Sequence, residues 1–429
     1  MSALPGFRSF LRVQRHIPLL QKLGPGLVTG AADDDPSGIA TYSQAGAQFG
    51  YGLLWSVLFT TPLMIGIQVV SARLGRVTGH GLAANIREHF PAALLYAIVG
   101  LLVVANTFNI AADLGAMGTA LEMLLGGSSA FYVIFVALLS LTLQVFIPFP
   151  RYAPILKWLT LALFAYVGTV FVVGIPWGEA LEGALLPHLS FRTEYVATLV
   201  AVLGTTISPY LFFWQASQEV EEQRATPGNE PLREAPGQAR EHLRRIKIDT
   251  YVGMTFSNVV AFFIMLTTAV TLHAHGVTDI QTAQQAAEAL RPVAGDFAYA
   301  LFSLGIVGTG LLAVPILAGS AAYAVAESFK WPIGLGLKLL EARGFYSILV
   351  AATLIGVGLN FVGIDPIKAL LWSAIANGVV AVPIMVVMMM MAVKPEVMGP
   401  FVVKRRLRVL GWLATGIMGA AVTAMFVTM

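Results

Sequence analysis

Long apolar runs constrain this chain more than any other feature. About eleven stretches are apolar over the roughly 20 residues that a helix needs to cross a bilayer. They lie near 25–49, 52–75, 93–123, 130–149, 154–176, 194–217, 248–273, 297–326, 345–363, 367–392 and 407–427. Only 11 % of the residues are charged, against about 25 % in soluble domains. In hydrocarbon each backbone N–H and C=O must pair within its own segment or in a closed barrel, and runs of this length give helices. An all-α polytopic membrane protein is therefore expected, with the lipid bilayer as its first partner.

The charges between the runs orient them. With the N-terminus inside, the inner loops hold Arg73, Arg76 and Arg87, then Arg151 and Lys157, then Arg233, Arg240, Arg244, Arg245 and Lys247. Further inner loops hold Lys330, Lys338 and Arg343, then Lys394, Lys404, Arg405, Arg406 and Arg408, while the outer loops keep little beyond Arg192 and Arg291. That asymmetry predicts a cytoplasmic N-terminus in the plasma (inner) membrane, with residues 1–22 as a basic cytoplasmic arm. No cleavable signal is visible. The net charge of +3 is spent on orientation and does not suggest nucleic acid. With no cysteine, the chain has no disulfide, thiolate metal site or cysteine nucleophile. The polar stretch 218–245 reads as flexible, ending in a helix at 237–247, and 274–295 as a short amphipathic surface helix. The methionines Met388–Met391 read as lipid-facing or packing residues.

Two runs carry what a membrane helix should not. The first contains Asp33, Asp34 and Asp35, followed by Pro36, Ser37 and Gly38. Each carboxylate costs about 2.5–3.5 kcal/mol at a helix centre, and proline with glycine behind the acids argues for a broken helix. The sixth run has Pro209 in its middle, after Gly204, Thr205, Thr206, Ile207 and Ser208, roughly 170 residues beyond Pro36. Interrupted spans at matching places in two halves point to a carrier with its site at the midplane. Unwound backbone frees carbonyls, and carbonyls with carboxylates are hard oxygen donors suited to Mg²⁺, Mn²⁺ or Ca²⁺. Asp35 is the best direct ligand. An acid before proline also caps a helix, but one acid would serve for that.

The stretch GPGLVTGAADDDPSGIATYSQAGAQFGYGLLW resembles the first span of the Nramp family of divalent-metal transporters. The likeness continues in SARLGRVTG (71–79), ADLG (112–115), the sixth span and IDT (248–250), and so covers most of the chain. The resemblance implies a LeuT-type fold: two inverted five-helix repeats plus one extra helix, with helices 1 and 6 broken. On this sequence the repeats would be 23–176 and 177–393, and 394–429 would hold the extra helix and C-terminus. It also implies that Asp35 is the family's metal-binding aspartate. The family's asparagine ligand falls on Gly38, its Met-Pro-His on Ser208-Pro209-Tyr210, its second sixth-span histidine on Gln215, and a proton-linked glutamate on Ala116.

These departures point one way. Losing sulfur removes the main preference for Mn²⁺ and Fe²⁺. Small residues at Gly38 and Ser208 widen the site, and added acids at Asp33 and Asp34 make it more negative. A wide, hard, acidic site suits Mg²⁺ with some of its waters, and losing histidine and glutamate removes the obvious proton relay. The pattern resembles the Nramp-related magnesium transporters. The expected function is alternating-access transport of Mg²⁺, and also Mn²⁺, without proton coupling and with no tightly bound cofactor. The alternative is a proton-coupled Mn²⁺ or broad divalent-metal carrier using Asp34 and Asp113.

The candidate metal set is Asp35, Asp34, Ser208, Gly38, Thr205 and Asn377, with Asp33, Tyr210, Asp113, Gln215 and Gln44 along the pathway. Several have equally plain structural readings. Asp113 either pairs with a cation or relays protons, or is a buried acid bonded to Asn109. Asn377 lies near a family glutamine that can reach the ion, yet Asn377-Gly378 also reads as a kink. Tyr210 lines the path or packs, Gln44 and Gln48 line an outer vestibule or pack on a neighbour, and Asn106 and Asn109 read as interhelical glue. His273 and His275 lack a third zinc ligand. An enzyme is disfavoured by the absence of HExxH, of a phosphate-binding glycine loop and of a Ser/His/Asp grouping within the spans. A cation-coupled organic-solute carrier of the same fold would be expected to avoid three acids beside a free helix N-terminus.

Overall fold

The computed structural model describes residues 25–147, 151 and 160–429; the basic arm 1–22 and residues 154–159 of the fifth apolar stretch lie outside the described residues. Every regular element among the described residues is helical. In chain order these are α1 (Pro25–Asp33), α2 (Pro36–Phe49), α3 (Leu54–Thr78), α4 (Leu82–His89), α5 (Ala92–Leu125) and α6 (Ser129–Phe146). Next come α7 (Phe164–Val172), α8 (Trp177–Leu185), α9 (Thr193–Thr206), α10 (Pro209–Ala225) and α11 (Ala239–Thr271). The last are α12 (Ala283–Glu288), α13 (Ala298–Ser328), α14 (Arg343–Leu359), α15 (Pro366–Ala392) and α16 (Arg405–Thr428).

Among the described residues eight helical segments are long and apolar enough to cross a membrane, and Leu161–Val172 and Arg343–Leu359 are shorter apolar helices. One of the eight, Pro36–Thr78, joins two of the predicted runs. Its 43 residues would make a rod of about 65 Å, twice the hydrocarbon thickness. Gly50 stops that rod with φ +57, a conformation that costs glycine nothing, and a short 3₁₀ turn over Gly50–Leu53 leads into α3.

Burial separates centre from rim. The α9–α10 segment has 89 % of its apolar window inside the protein, whereas α6 has only 28 % and presents Phe131, Phe135, Leu138 and Phe146 outward as a lipid-facing side would. At the centre α1 lies along α11, α9 along α15, and α5 against both α13 and α15. Small residues permit these contacts. A Cβ on Gly30 would sit 2.2 Å from the backbone of Gly253, and one on Gly204 would sit 2.1 Å from the Ala374 carbonyl.

Two expectations, for 218–245 and 274–295, need correction. The stretch 218–245 is not a loose linker: α10 continues through Ala225, Leu232 is fully buried, and the Leu232 and Arg233 N–H groups donate to the Arg76 and Val77 carbonyls at 3.3 and 3.2 Å. A loop that buries a leucine and pairs its backbone is held in place. The stretch 274–295 is no simple surface helix either, since Ile280, Ala286, Ala287 and Leu290 are buried. Met388, Met389 and Met391 are buried and Met390 is partly exposed, so that run chiefly packs. His273 and His275 each turn a ring nitrogen to a different backbone carbonyl, of Ala47 and Thr271.

Candidate metal centre

Both central interruptions fall at a proline that opens a new helix. Asp35 is the N-cap of α2, and its Oδ1 accepts from the Gly38 N–H at 2.7 Å and the Ser37 hydroxyl at 2.8 Å. Capping and ion binding are not rival roles for this residue, because the cap uses one oxygen. The other, Oδ2, accepts from Asn109 Nδ2 at 3.1 Å, with the Tyr210 hydroxyl 3.5 Å away. That hydroxyl donates at 3.0 Å to the carbonyl of Ala32 in the last turn of α1. At the second interruption Ser208 precedes α10 without capping it. Its hydroxyl donates back to the carbonyl of Thr205 at 2.8 Å, with that of Gly204 3.1 Å away, satisfying an acceptor at the end of α9.

Gly38 joins the two breaks. A Cβ placed there would lie 3.0 Å from Thr205 Oγ1, 3.3 Å from the Asp33 carbonyl and 3.4 Å from Asp35 Oδ1. Oxygens from both broken helices therefore converge on the space that a side chain at 38 would fill. The expectation that Gly38 widens the site is refined by this: Thr205 Oγ1 closes on the backbone at 38, and even a Cβ there would be crowded.

Behind Asp35 runs a chain of polar side chains. Asn109 Nδ2 donates to Asp35 Oδ2 and, at 3.0 Å, to Asp113 Oδ2. Asn377 Nδ2 donates to Asn109 Oδ1 at 2.7 Å, leaving Asn377 Oδ1 buried without a partner. α15 runs without a break through Asn377, and Gly378 lies where α15 meets Gly204 of α9.

The three consecutive acids do not converge on one point. Asp33 Oδ2 and Asp34 Oδ1 share the Ser257 hydroxyl of α11 at 2.7 and 3.0 Å, while Asp35 faces α5 and α10. One hydroxyl has one proton, so Ser257 cannot donate to both carboxylates at once. Among the described residues no cluster of three His, Asp or Glu side chains is arranged to hold a metal, and the oxygens around Gly38 are a mixture of carboxylate, hydroxyl and carbonyl. Asp33, Asp34, Asp35 and Asp113 are all buried, and none has a basic side chain among its hydrogen-bond or ion-pair partners in the described residues. Uncompensated buried carboxylates are costly, so their balance must come from protons or a bound cation.

Two other candidates lie elsewhere. Gln215 accepts from Gln68 at 2.6 Å and donates to Thr250 at 2.9 Å, tying α10 to α3 and α11. Gln44 Oε1 accepts from the Ile280 N–H at 2.9 Å and so fastens the outer segment to α2. Sequence reasoning missed Ser257 and Asp249. Asp249 accepts from the N–H groups of Gly26 at 2.7 Å and Leu27 at 3.0 Å, filling orphan donors at the start of α1. Asp249, Gly253 and Ser257 repeat every four residues on one face of α11 and meet Gly26, Gly30 and Asp33 in the same order. That spacing was the available signal.

The chain matches, over residues 26–428, the family model described as natural resistance-associated macrophage protein-like, Nramp. It is 26 % identical over 413 residues to the divalent metal cation transporter MntH of Klebsiella pneumoniae, covering 93 % of this chain and 92 % of that one. Its fold is similar to that of a manganese transporter from Eremococcus coleocola, with TM-score 0.73, 19 % identity and coverage of 98 % and 89 %. It is also similar in fold to Mhp1, a nucleobase-cation-symport-1 family transporter, with TM-score 0.57, 13 % identity and coverage of 95 % and 92 %.

Proposed function

The chain belongs to the Nramp family, and on that premise we propose that it is a secondary carrier of divalent metal ions, taking up Mg²⁺ foremost and Mn²⁺ as well. The observation that carries this reading is the meeting of the two broken helices at Gly38, which brings Thr205 Oγ1 and the Asp33 carbonyl close to Asp35, whose Oδ2 is not used by the cap. The set is all oxygen, with no sulfur or imidazole, and Asp35 would supply the charge. Such donors suit a hard cation that keeps part of its water. With Gly38 lacking a side chain, waters would complete the coordination sphere. Asp33 and Asp34, gathered on Ser257, would hold negative potential beside the site without entering the same shell. Tyr210, Gln215 and Ala116 offer no imidazole or carboxyl for a proton route, which supports transport without proton coupling. The proposed halves are 23–176 and 177–393, and the loop charges support a cytoplasmic N-terminus in the plasma membrane.

A second reading, proton-coupled Mn²⁺ transport, has its own support. The Eremococcus coleocola relative is a manganese transporter, and Asp113 lies one amide from Asp35. One experiment separates the two. Proteoliposomes holding an internal pH dye are given Mg²⁺, Mn²⁺ or Ca²⁺ while uptake is followed. Entry of Mg²⁺ and Mn²⁺ with a flat pH trace is expected; acidification that tracks entry, or uptake confined to Mn²⁺, selects the second reading.

A further inference from the structure

We propose that Asn109 is a positioning residue that fixes which end of the Asn377 amide faces the ion site. The inference rests on the reading of Asp35 as an ion ligand and extends it.

A primary amide has a donor end and an acceptor end of nearly equal size, and only its partners decide which way it points. Asn109 has no choice. Its Nδ2 has two hydrogens and meets two carboxylate oxygens, Asp35 Oδ2 at 3.1 Å and Asp113 Oδ2 at 3.0 Å. The flipped amide would set its own oxygen against both, which is repulsive. With Nδ2 so held, Oδ1 points to α15 and accepts from Asn377 Nδ2 at 2.7 Å. The orientation thus passes to Asn377, whose Oδ1 is left buried and unpartnered, its residue 1 % exposed. An unpartnered buried carbonyl is unfavourable unless something binds it. A cation would take that oxygen as a ligand and would be repelled by the amide's hydrogens. Asp113 also gains a role beyond proton relay, because it keeps Asn109 in place when Asp35 turns toward an ion.

The test uses the purified full chain, with Mn²⁺ and then Mg²⁺ titrated calorimetrically into the wild type, Asn109→Ala, Asn377→Ala, the double variant and Asp35→Ala. Asn109→Ala should weaken binding by about tenfold, the lower end of what lost outer-shell partners cost a metal site. Asn377→Ala has no amide to orient, so adding Asn109→Ala to it should change the affinity by less than about twofold, on the same scale. A merely structural role, or a direct hold on Asp35 alone, would cost the same in both backgrounds, and that result overturns the proposal. If Asn109→Ala fails to fold, Asn109→Ser in the same two backgrounds gives the same comparison. Equal binding by the wild type and Asp35→Ala would instead overturn the underlying assignment of Asp35, and this proposal with it.

Discussion

At the residue scale, Asp35 has the most demanding position. One oxygen caps α2 and the other faces Asn109 and Tyr210, so removing the carboxylate affects two functions. Asp35→Ala should abolish divalent uptake in proteoliposomes, while losing the cap costs about 1 kcal/mol and leaves the protein folded. Uptake unchanged from wild type would reject Asp35 as a ligand, and a thermal melt separates that from misfolding. Ser208→Met returns a thioether to the second break and removes the donor to the Thr205 carbonyl. Competition uptake should shift toward Mn²⁺ over Mg²⁺, and an unchanged ratio would count against sulfur as the source of selectivity. The two breaks at Pro36 and Pro209 were legible from sequence, because proline, with an acid or glycine beside it, is anomalous inside an apolar run. Ser257 was not, since a serine on a long helix is ordinary until its neighbour is known. Gln44 and Gln215 make bonds between elements, which a buried glutamine does as readily as it lines a site.

At the element scale, α1 is nine residues long and has little stability of its own. Its place comes from α11. Asp249 fills its first donors, Gly253 admits its backbone, and Ser257 receives Asp33 and Asp34. Asp249→Ala should loosen α1 by about 1–2 kcal/mol, typical of a lost helix cap. Faster amide hydrogen exchange over residues 26–33, with α16 unchanged, is the expected signature. Gly253→Ala is harsher, because its Cβ would lie 2.3 Å from the Gly26 carbonyl. Overpacking of this kind costs about 1–3 kcal/mol, so a lower melting temperature and impaired uptake are expected. If Gly253→Ala melts and transports as the wild type does, the close approach is not needed. The IDT motif was visible in the sequence, but its work on α1 depends on a contact between residues more than two hundred positions apart.

At the scale of the whole molecule, the apolar runs announced an all-helical membrane protein, and helices occupy the described part of each run. Hydropathy was less informative about continuity. It separates 25–49 from 52–75, which a 3₁₀ turn at Gly50–Leu53 joins directly, because composition does not register a glycine with positive φ. The orientation of the chain can be tested directly, since it has no native cysteine. A cysteine at Gly237 should be shielded from a membrane-impermeant maleimide in intact cells, and one at Thr282 should be labelled; the reverse pattern would invert the topology. The in-register seat of α1 also limits how the carrier can change shape. Gly30 and Gly253 mesh so closely that α1 cannot travel along α11 like a piston. A pivot at the joint between α1 and α2, where Asp34 and Asp35 alone lie between the two helices, would leave that seat intact only if α11 moved with α1. A swing there carries Asp33 with α1 and leaves the Asp35 cap on α2. The negative charge that holds a cation would then be divided by the same movement that opens its way out.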